Sequence, residues 1–206
     1  MNISAIIPAA GKSVRMGQPK MLMPWGNTTV LGKVVQTLES AGVKNIIVVT
    51  NSKIAPQVTS YELRVVLNDV GEMLESIQLG LQALLPPPSL QDTSPIFGEN
   101  GGSREGVLIC LGDQPQIEEE NVCKVCDAFR QNKSQIVVPS YQMRRGHPWL
   151  VARPLWDEIL AMKSDQSPRD FLNAHTNEIE YVNLDTPTIL QDLDTPQDYL
   201  KYKPPL

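Results

Sequence analysis

The sequence predicts an α/β domain, a three-layer sandwich around a mainly parallel sheet. Short runs of β-branched and aliphatic residues alternate with helix-period segments along the chain. The first run, Ile3 to Pro8, empties into a loop of small residues and glycine, Ala9-Ala10-Gly11. A later run, Val107 to Leu111, ends the same way on Gly112-Asp113. In open α/β sheets, ligands bind outside the carboxyl ends of such strands.

The elements follow in order. Ile3 to Pro8 is the first strand. A helix is expected over Val30 to Ser40, capped at its start by Thr28 or Thr29 and closed by Gly42. Val43 to Thr50 reads as the second strand and Leu63 to Leu67 as a short third. Met73 to Leu84 carries Leu74, Ile77, Leu81 and Leu84 at helical spacing. Pro86-Pro87-Pro88 ends that helix. The stretch from Pro86 to Gly106 is rich in Pro, Gly, Ser and Asn and reads as a flexible surface insertion. After Val107 to Leu111 come a helix over Glu118 to Asn132, a strand at Ile136 to Pro139, helices near Pro154 to Met162 and Pro168 to His175, and a strand at Ile179 to Asn183. No linker divides the chain. A single domain over residues 1–206 is expected, with a first half at about 1–115 that carries the glycine loop and a second half at about 116–206 that lacks it.

Bulk properties narrow the function. The 206 residues, 41% hydrophobic and 20% charged, suffice for a substantial core. A net charge of -5 argues against a broad nucleic-acid surface. No apolar run approaches the length of a membrane span, and no signal peptide is evident. Three cysteines without a disulfide pattern fit a reducing cytoplasm. Cys123-x-x-Cys126 lacks the second ligand pair of a zinc site and falls on one face of the expected helix, where cysteines pack as small apolar residues.

The loop after the first strand carries the chemistry. Ala9, Ala10 and Gly11 allow close approach of backbone to a ligand. Gly11 and Gly17 tolerate φ > 0, and Lys12, Arg15 and Lys20 supply positive charge. Gly11-Lys12-Ser13 mimics the end of a Walker A loop, but Ile6 stands where that motif needs its first glycine. The Gly11 and Gly17 pair does not match the dinucleotide fingerprint either. Asp113 leaves a strand at the same kind of edge. If the two strands are neighbours, loop and carboxylate face one crevice, where a carboxylate beside a triphosphate makes sense with Mg²⁺ between them. The alternative for Asp113 is a turn residue capping the following helix.

Ala9-Ala10-Gly11-x-Ser13-x-Arg15-Met16-Gly17-x-Pro19-Lys20 resembles the signature loop of nucleotidyltransferases with a GT-A-like, Rossmann-like fold, most closely the MobA/MocA-like molybdenum cofactor nucleotidyltransferases. Leu111-Gly112-Asp113-Gln114-Pro115 resembles the metal-binding turn of that group. Arg145-Gly146-His147-Pro148 resembles its substrate-side loop, and Asp192-Leu193-Asp194-Thr195-Pro196 its late aspartate motif. The four segments lie in family order and span nearly the whole chain.

The resemblance implies roles residue by residue. Lys20 touches the phosphates and stabilises the transition state, and Arg15 binds the outer phosphates. Asp113 and Asp194 hold Mg²⁺, with Asp192 orienting Asp194 or adding an oxygen through water. The alternative for Asp194 is capping of the last helix, and Asp198 reads as a solvated first-turn residue. The nucleobase lies across Pro8, Ala9 and Ala10, cradled by Gly11 and Gly17, with Asn68, Gly71 and Ser76 near base and ribose. CTP is the favoured triphosphate and GTP the other candidate, because Gly71-Glu72-Met73-Leu74-Glu75-Ser76 lacks the serine run of the cytidylyl branch. His147 is placed to hold an acceptor phosphate, the alternative being a hinge-loop histidine bonded to backbone. Arg169 follows Ser164 and Ser167, where the family has glycines. The implied reaction moves a nucleoside monophosphate from the triphosphate to a phosphorylated small molecule, molybdopterin foremost, with transient contact to a recipient molybdoenzyme. A sugar-phosphate or polyol-phosphate acceptor, or a non-catalytic nucleotide- or cofactor-binding protein on the same fold, is the alternative.

Overall fold

The computed structural model describes residues 2–58, 63–86 and 104–205. Most of the expected insertion at Pro86 to Gly106 lies outside them, and its last two residues, Glu105 and Gly106, are already strand. The main sheet runs β10-β7-β9-β6-β1-β4-β5, with β8 paired to β7. β1 (Asn2–Pro8) sits centrally, parallel to both β4 (Asn45–Thr50) and β6 (Glu105–Ile109). β5 (Arg64–Leu67) extends the parallel part beyond β4. β9 (Trp149–Ala152) lies antiparallel between β6 and β7 (Ile136–Tyr141), and β10 (Ile179–Asn183) closes the far edge parallel to β7. The sheet is mostly parallel, as expected. Two short strands, β2 (Pro24–Trp25) and β3 (Thr28–Thr29), form a hairpin of their own, and β8 is Arg144–Arg145.

Alternation along the central strands sets the layers. Ala5 and Ile7 of β1 pack with Ile46, Val48, Leu108 and Val137 on one face. Helices α1 (Val30–Ser40) and α4 (Glu119–Gln131) cover that face through Val34, Val35, Leu38, Val122, Val125 and Phe129. Ile6 faces the other way with Ile47, Val49, Val107, Ile109 and Val151. There α3 (Met73–Leu84), α5 (Trp156–Ala161) and α6 (Pro168–Ala174) supply Ile77, Leu81, Ile159 and Phe171. Both faces are buried, which is why β1, β4 and β6 read as nearly continuous apolar runs. A short α2 (Ala55–Val58) follows β4, and α7 (Pro196–Tyr202) ends the chain.

Local signals explain several boundaries. The Thr29 side chain accepts from the Gly32 amide at 3.0 Å and caps α1, and Gly42 follows that helix at φ 82°. Ser167 with Asp170 and Thr195 with Asp198 form capping boxes at α6 and α7. Asp198 is therefore a cap and not a free surface charge. Its Oδ2 accepts from the Thr195 amide at 2.8 Å and hydroxyl at 2.7 Å. Thr195, not Asp194, caps α7, which leaves the Asp194 carboxylate for other partners. Cys123 and Cys126 lie on α4, and burial pushes the Cys126 thiol up to about 12, as it does that of Cys110. They pack as apolar residues. Among the described residues no helix is long and apolar enough to cross a membrane.

α3 packs closely on β1. A Cβ added at Gly80 would stand 2.6 Å from Cγ2 of the fully buried Ile6. Gly80→Val is expected to destabilise the fold by about 1–3 kcal/mol, the usual range for overpacking a core. Urea unfolding with an unchanged slope and a lowered midpoint is the expected record, and an unshifted midpoint contradicts it.

Candidate active site

The carboxyl ends of β1, β4 and β6 meet at one edge. The β1/β6 ladder continues past the strands through the Cys110 amide to the Ile6 carbonyl at 3.0 Å and Gly112 to Pro8 at 3.4 Å. Asp113 is thereby delivered beside the loop that leaves β1. Within that loop Ser13 is left-handed at φ 49°, Gly17 at φ 68°, and the Ser13 hydroxyl accepts from the Lys20 amide at 3.1 Å. These bonds fold the loop back and turn Lys20 inward. Its Nζ lies 2.5 Å from Asp113 Oδ2 and 3.4 Å from Asp194 Oδ1. Arg15 reaches the other Asp194 oxygen at 3.2 Å from an exposed position.

Asp194 is brought there by packing. Leu193, fully buried, joins Met16, Met23, Trp25 and Val30 in a small separate cluster, with Tyr199 against it. The Leu193 amide donates to the Asp113 carbonyl at 3.0 Å, and the Tyr199 hydroxyl donates to the Pro24 carbonyl at 2.6 Å. Asp192, two residues before Asp194, accepts from Gln114 Nε2 at 2.5 Å. Partial desolvation, then the charge of Asp113, raise the Asp192 carboxyl above its ordinary range, against the Gln114 hydrogen bond. Gln114 is buried, and its Oε1 has no partner among the described residues.

Two cavities flank this centre. One of about 630 Å³ is lined by Ala10, Gly11, Lys12, Ser13, Gly17 and residues after β4, including Asn51 and Lys53. Ala9 and Ala10 are buried, and their carbonyls are held by the Thr50 hydroxyl and the Asn51 amide, each at 3.1 Å. Pro8 is buried just behind them. Gly71 has φ 88°, and a Cβ there would stand 3.2 Å from the Ala10 carbonyl, so glycine permits this approach. Asn68 and Ser76, expected near base and ribose, lie behind this turn. Both are buried, Asn68 Nδ2 donates to Ser76 Oγ at 2.9 Å, and Asn68 Oδ1 accepts from the Gly71 amide at 3.0 Å. They shape the turn that presents Gly71. Lys12 is exposed as expected, yet it borders this cavity with Lys53.

The second cavity, about 560 Å³, lies on the β6-β9-β7 side, lined by Gln114, Arg144, Gly146, His147, Arg169 and Asp192 among others. The Arg145–Pro148 segment does reach this site, but its parts differ from expectation. The Arg145 guanidinium is held by the Tyr181 hydroxyl, Asn173 Oδ1 and Thr176 Oγ1, so it ties α6 to β10. His147 Nδ1 lies 3.2 Å from the Ile109 carbonyl and carries the proton to it. Burial pushes the His147 pKa down to about 4. A neutral imidazole brings no positive charge of its own, and this one is braced on the backbone. Arg144 and Arg169, which border the same cavity, are exposed cations.

Two carboxylates from distant parts of the chain thus converge on one cationic position. No group of three or more His, Cys, Asp and Glu gathers among the described residues. A hard divalent ion that takes one or two carboxylates and completes its shell with phosphate oxygens and water suits this donor set, with Asp113 and Asp194 as its holders.

Residues 5–179 match the model of the MobA-like NTP transferase domain. The chain belongs to that family. Over 209 aligned residues it is 26% identical to the molybdenum cofactor cytidylyltransferase of Escherichia coli (strain K12), covering 98% of this chain and 95% of that protein. Rv0371c from Mycobacterium tuberculosis H37Rv superposes with a TM-score of 0.77 at 24% identity, covering 98% of this chain and 97% of that one. The same protein has been solved in complex with manganese. A nucleotidyl transferase from Methanothermobacter thermautotroptrophicus superposes at 0.74 with 23% identity, covering 98% of this chain and 96% of its own. The GT-A-like nucleotidyltransferase fold expected from the four motifs is the fold of this MobA-like transferase.

Four residues that border the site were not singled out from the sequence: Asn51, Lys53, Gln114 and Arg144. Asn51 and Lys53 directly follow a strand, β4, that ends at the ligand edge, which is the available signal. Gln114 sits inside a quoted motif, and only its burial shows that it braces Asp192.

The transferase's two histidines titrate in opposite directions. His147 is depressed below its ordinary 6.5, so the unfolded chain binds more protons between pH about 6.5 and about 4, and stability falls as pH drops through that window. Burial also lowers His175, but the carboxylates of Glu158 and Glu178 outweigh it and the net shift is upward. His175 contributes stability that is full below about pH 6.5 and lost as pH rises through its folded pKa. Urea midpoints measured from pH 4.5 to 7.5 are expected to lose part of their acid decline in His147→Gln and part of their alkaline decline in His175→Gln. Unchanged pH slopes in both variants contradict the assignment.

Proposed function

We propose that this MobA-like transferase uses Mg²⁺ to move a nucleoside monophosphate from CTP, or else GTP, to a phosphorylated acceptor, molybdopterin foremost, releasing pyrophosphate. The observation that carries the reading is the convergence of Asp113, Asp194 and Lys20 at the end of a glycine-containing phosphate-type loop. The cytidylyl reading draws on the E. coli relative, whose name specifies that activity.

Each residue has a task that its position supports. The loop from Ala10 to Gly17 lines the cavity for the triphosphate, and Arg15 and Lys20 supply charge at the phosphates. Asp113 and Asp194 hold the ion, which when bound neutralises phosphate charge. The cavity beside Arg144 and Arg169 takes the acceptor. An acceptor phosphate oxygen attacks the α-phosphorus in line, the α–β phosphoanhydride bond breaks, and pyrophosphate leaves. The acceptor phosphate is already ionised near neutral pH, so no strong general base is required, which agrees with a neutral His147 braced on the backbone. The protein contributes positioning and electrostatic stabilisation.

Asp113→Ala and Lys20→Ala are each expected to lower turnover by roughly 10²-fold or more, the scale of losing one key electrostatic stabiliser. Near-normal turnover at saturating Mg²⁺ and nucleotide rejects their roles. Pyrophosphate release assayed with each triphosphate and with molybdopterin, sugar phosphates and polyol phosphates tests the substrates. Release with CTP and molybdopterin is expected. Release only with a sugar phosphate, or nucleotide binding without release, sinks the acceptor assignment.

A further inference from the structure

The two carboxylates suited to a divalent ion already share a cation. Lys20 Nζ contacts Asp113 at 2.5 Å and Asp194 at 3.4 Å, and the Lys20 side chain is only 12% exposed. Arg15 adds a second cation at Asp194. The two cations offset the two carboxylates, so an incoming ion meets an ammonium in its place, with the Asp192 carboxylate close by. We propose that Lys20 is a built-in counter-ion that keeps the metal position closed until a triphosphate draws the ammonium away, so that ion and nucleotide bind cooperatively. This rests on Asp113 and Asp194 being the metal ligands.

The argument is electrostatic. Repulsion between an ammonium and a divalent ion at contact distances in a partly buried site weighs at least as much as a tenfold change in affinity. A triphosphate carries several negative charges and gives Lys20 and Arg15 new oxygen partners of equal or greater strength. Their departure leaves the two carboxylates facing each other, a pairing that favours a divalent ion. The Lys20 backbone does not need to move for this exchange. Its amide is anchored to the Ser13 hydroxyl, and the flexible side chain alone changes partner. Linkage makes the effect reciprocal: the ion raises nucleotide affinity by the same factor.

The test is Mn²⁺ titration followed by the paramagnetic resonance signal of the free ion, with and without non-hydrolysable CTP and GTP analogues. Wild type is expected to bind Mn²⁺ weakly alone and about tenfold or more tightly with an analogue. Lys20→Met is expected to bind Mn²⁺ alone about tenfold or more tighter than wild type, with the nucleotide effect shrinking to what direct phosphate coordination supplies, whereas Lys20→Arg keeps the wild-type pattern. Lys20→Met binding no more tightly than wild type overturns the proposal. Asp113→Asn and Asp194→Asn in the Lys20→Met background separate the two ways of failing. If they abolish binding while Lys20→Met fails to tighten it, the metal ligands stand and the counter-ion role falls. If binding survives both changes, the ligand assignment falls and the proposal with it.

Discussion

The ammonium of Lys20 lies between carboxylates 93 and 174 residues away in the chain, and the arrangement of the rest of the molecule serves that meeting. Adjacency of β1 and β6 puts the signature loop beside Asp113. The cluster around Leu193, with Met16 contributed by the signature loop, draws Asp194 against both. Their effect is to fix where charge sits, and electrostatic stabilisation depends on that geometry being set in advance.

The sheet changes character at β6. To one side its neighbour β1 is parallel, and on that side lies the cavity bordered by the glycine loop. To the other side β9 is antiparallel, and there lies the cavity bordered by Arg144, Arg169 and Asp192. Asp113 leaves β6 between them. A single turn can therefore address both ligands, which is what in-line transfer between two bound molecules requires. Gln114 extends the same turn into the second cavity and holds Asp192 there.

Much of this was legible in the residues, for identifiable reasons. β1, β4 and β6 announced themselves because a strand covered on both faces must be apolar throughout. The limits of α1 were legible because cap and period agree, and those of α3 because its period stops at a run of prolines. β9 was not expected: Trp149–Ala152 is four residues long, follows a proline, and lies between its near neighbour β7 and the sequence-distant β6. The β2–β3 hairpin, turned on Gly26-Asn27, was also passed over, although such a dipeptide is a hairpin signal. At the site, residue types conveyed which groups carry charge, but not how that charge is used. Arg145 lies in a motif matched to a substrate-side loop and is a strut, and His147, expected beside an acceptor phosphate, is a neutral imidazole braced on backbone. Asp198 looked solvated although Thr195-x-x-Asp198 is a capping pattern. Hydrogen-bond partners and desolvation decide such cases, and both depend on the fold.

The central claim is that Asp113, Asp194 and the Lys20 loop form one centre for a divalent ion and a triphosphate. Anomalous diffraction from crystals grown with Mn²⁺ and a non-hydrolysable CTP or GTP analogue tests it most directly. The account predicts one ion held by both carboxylates, phosphates along Ala10 to Lys20, and Lys20 Nζ on phosphate oxygens in place of Asp113. An ion bound elsewhere, or a triphosphate seated away from the loop with the Lys20 bridge intact, contradicts it.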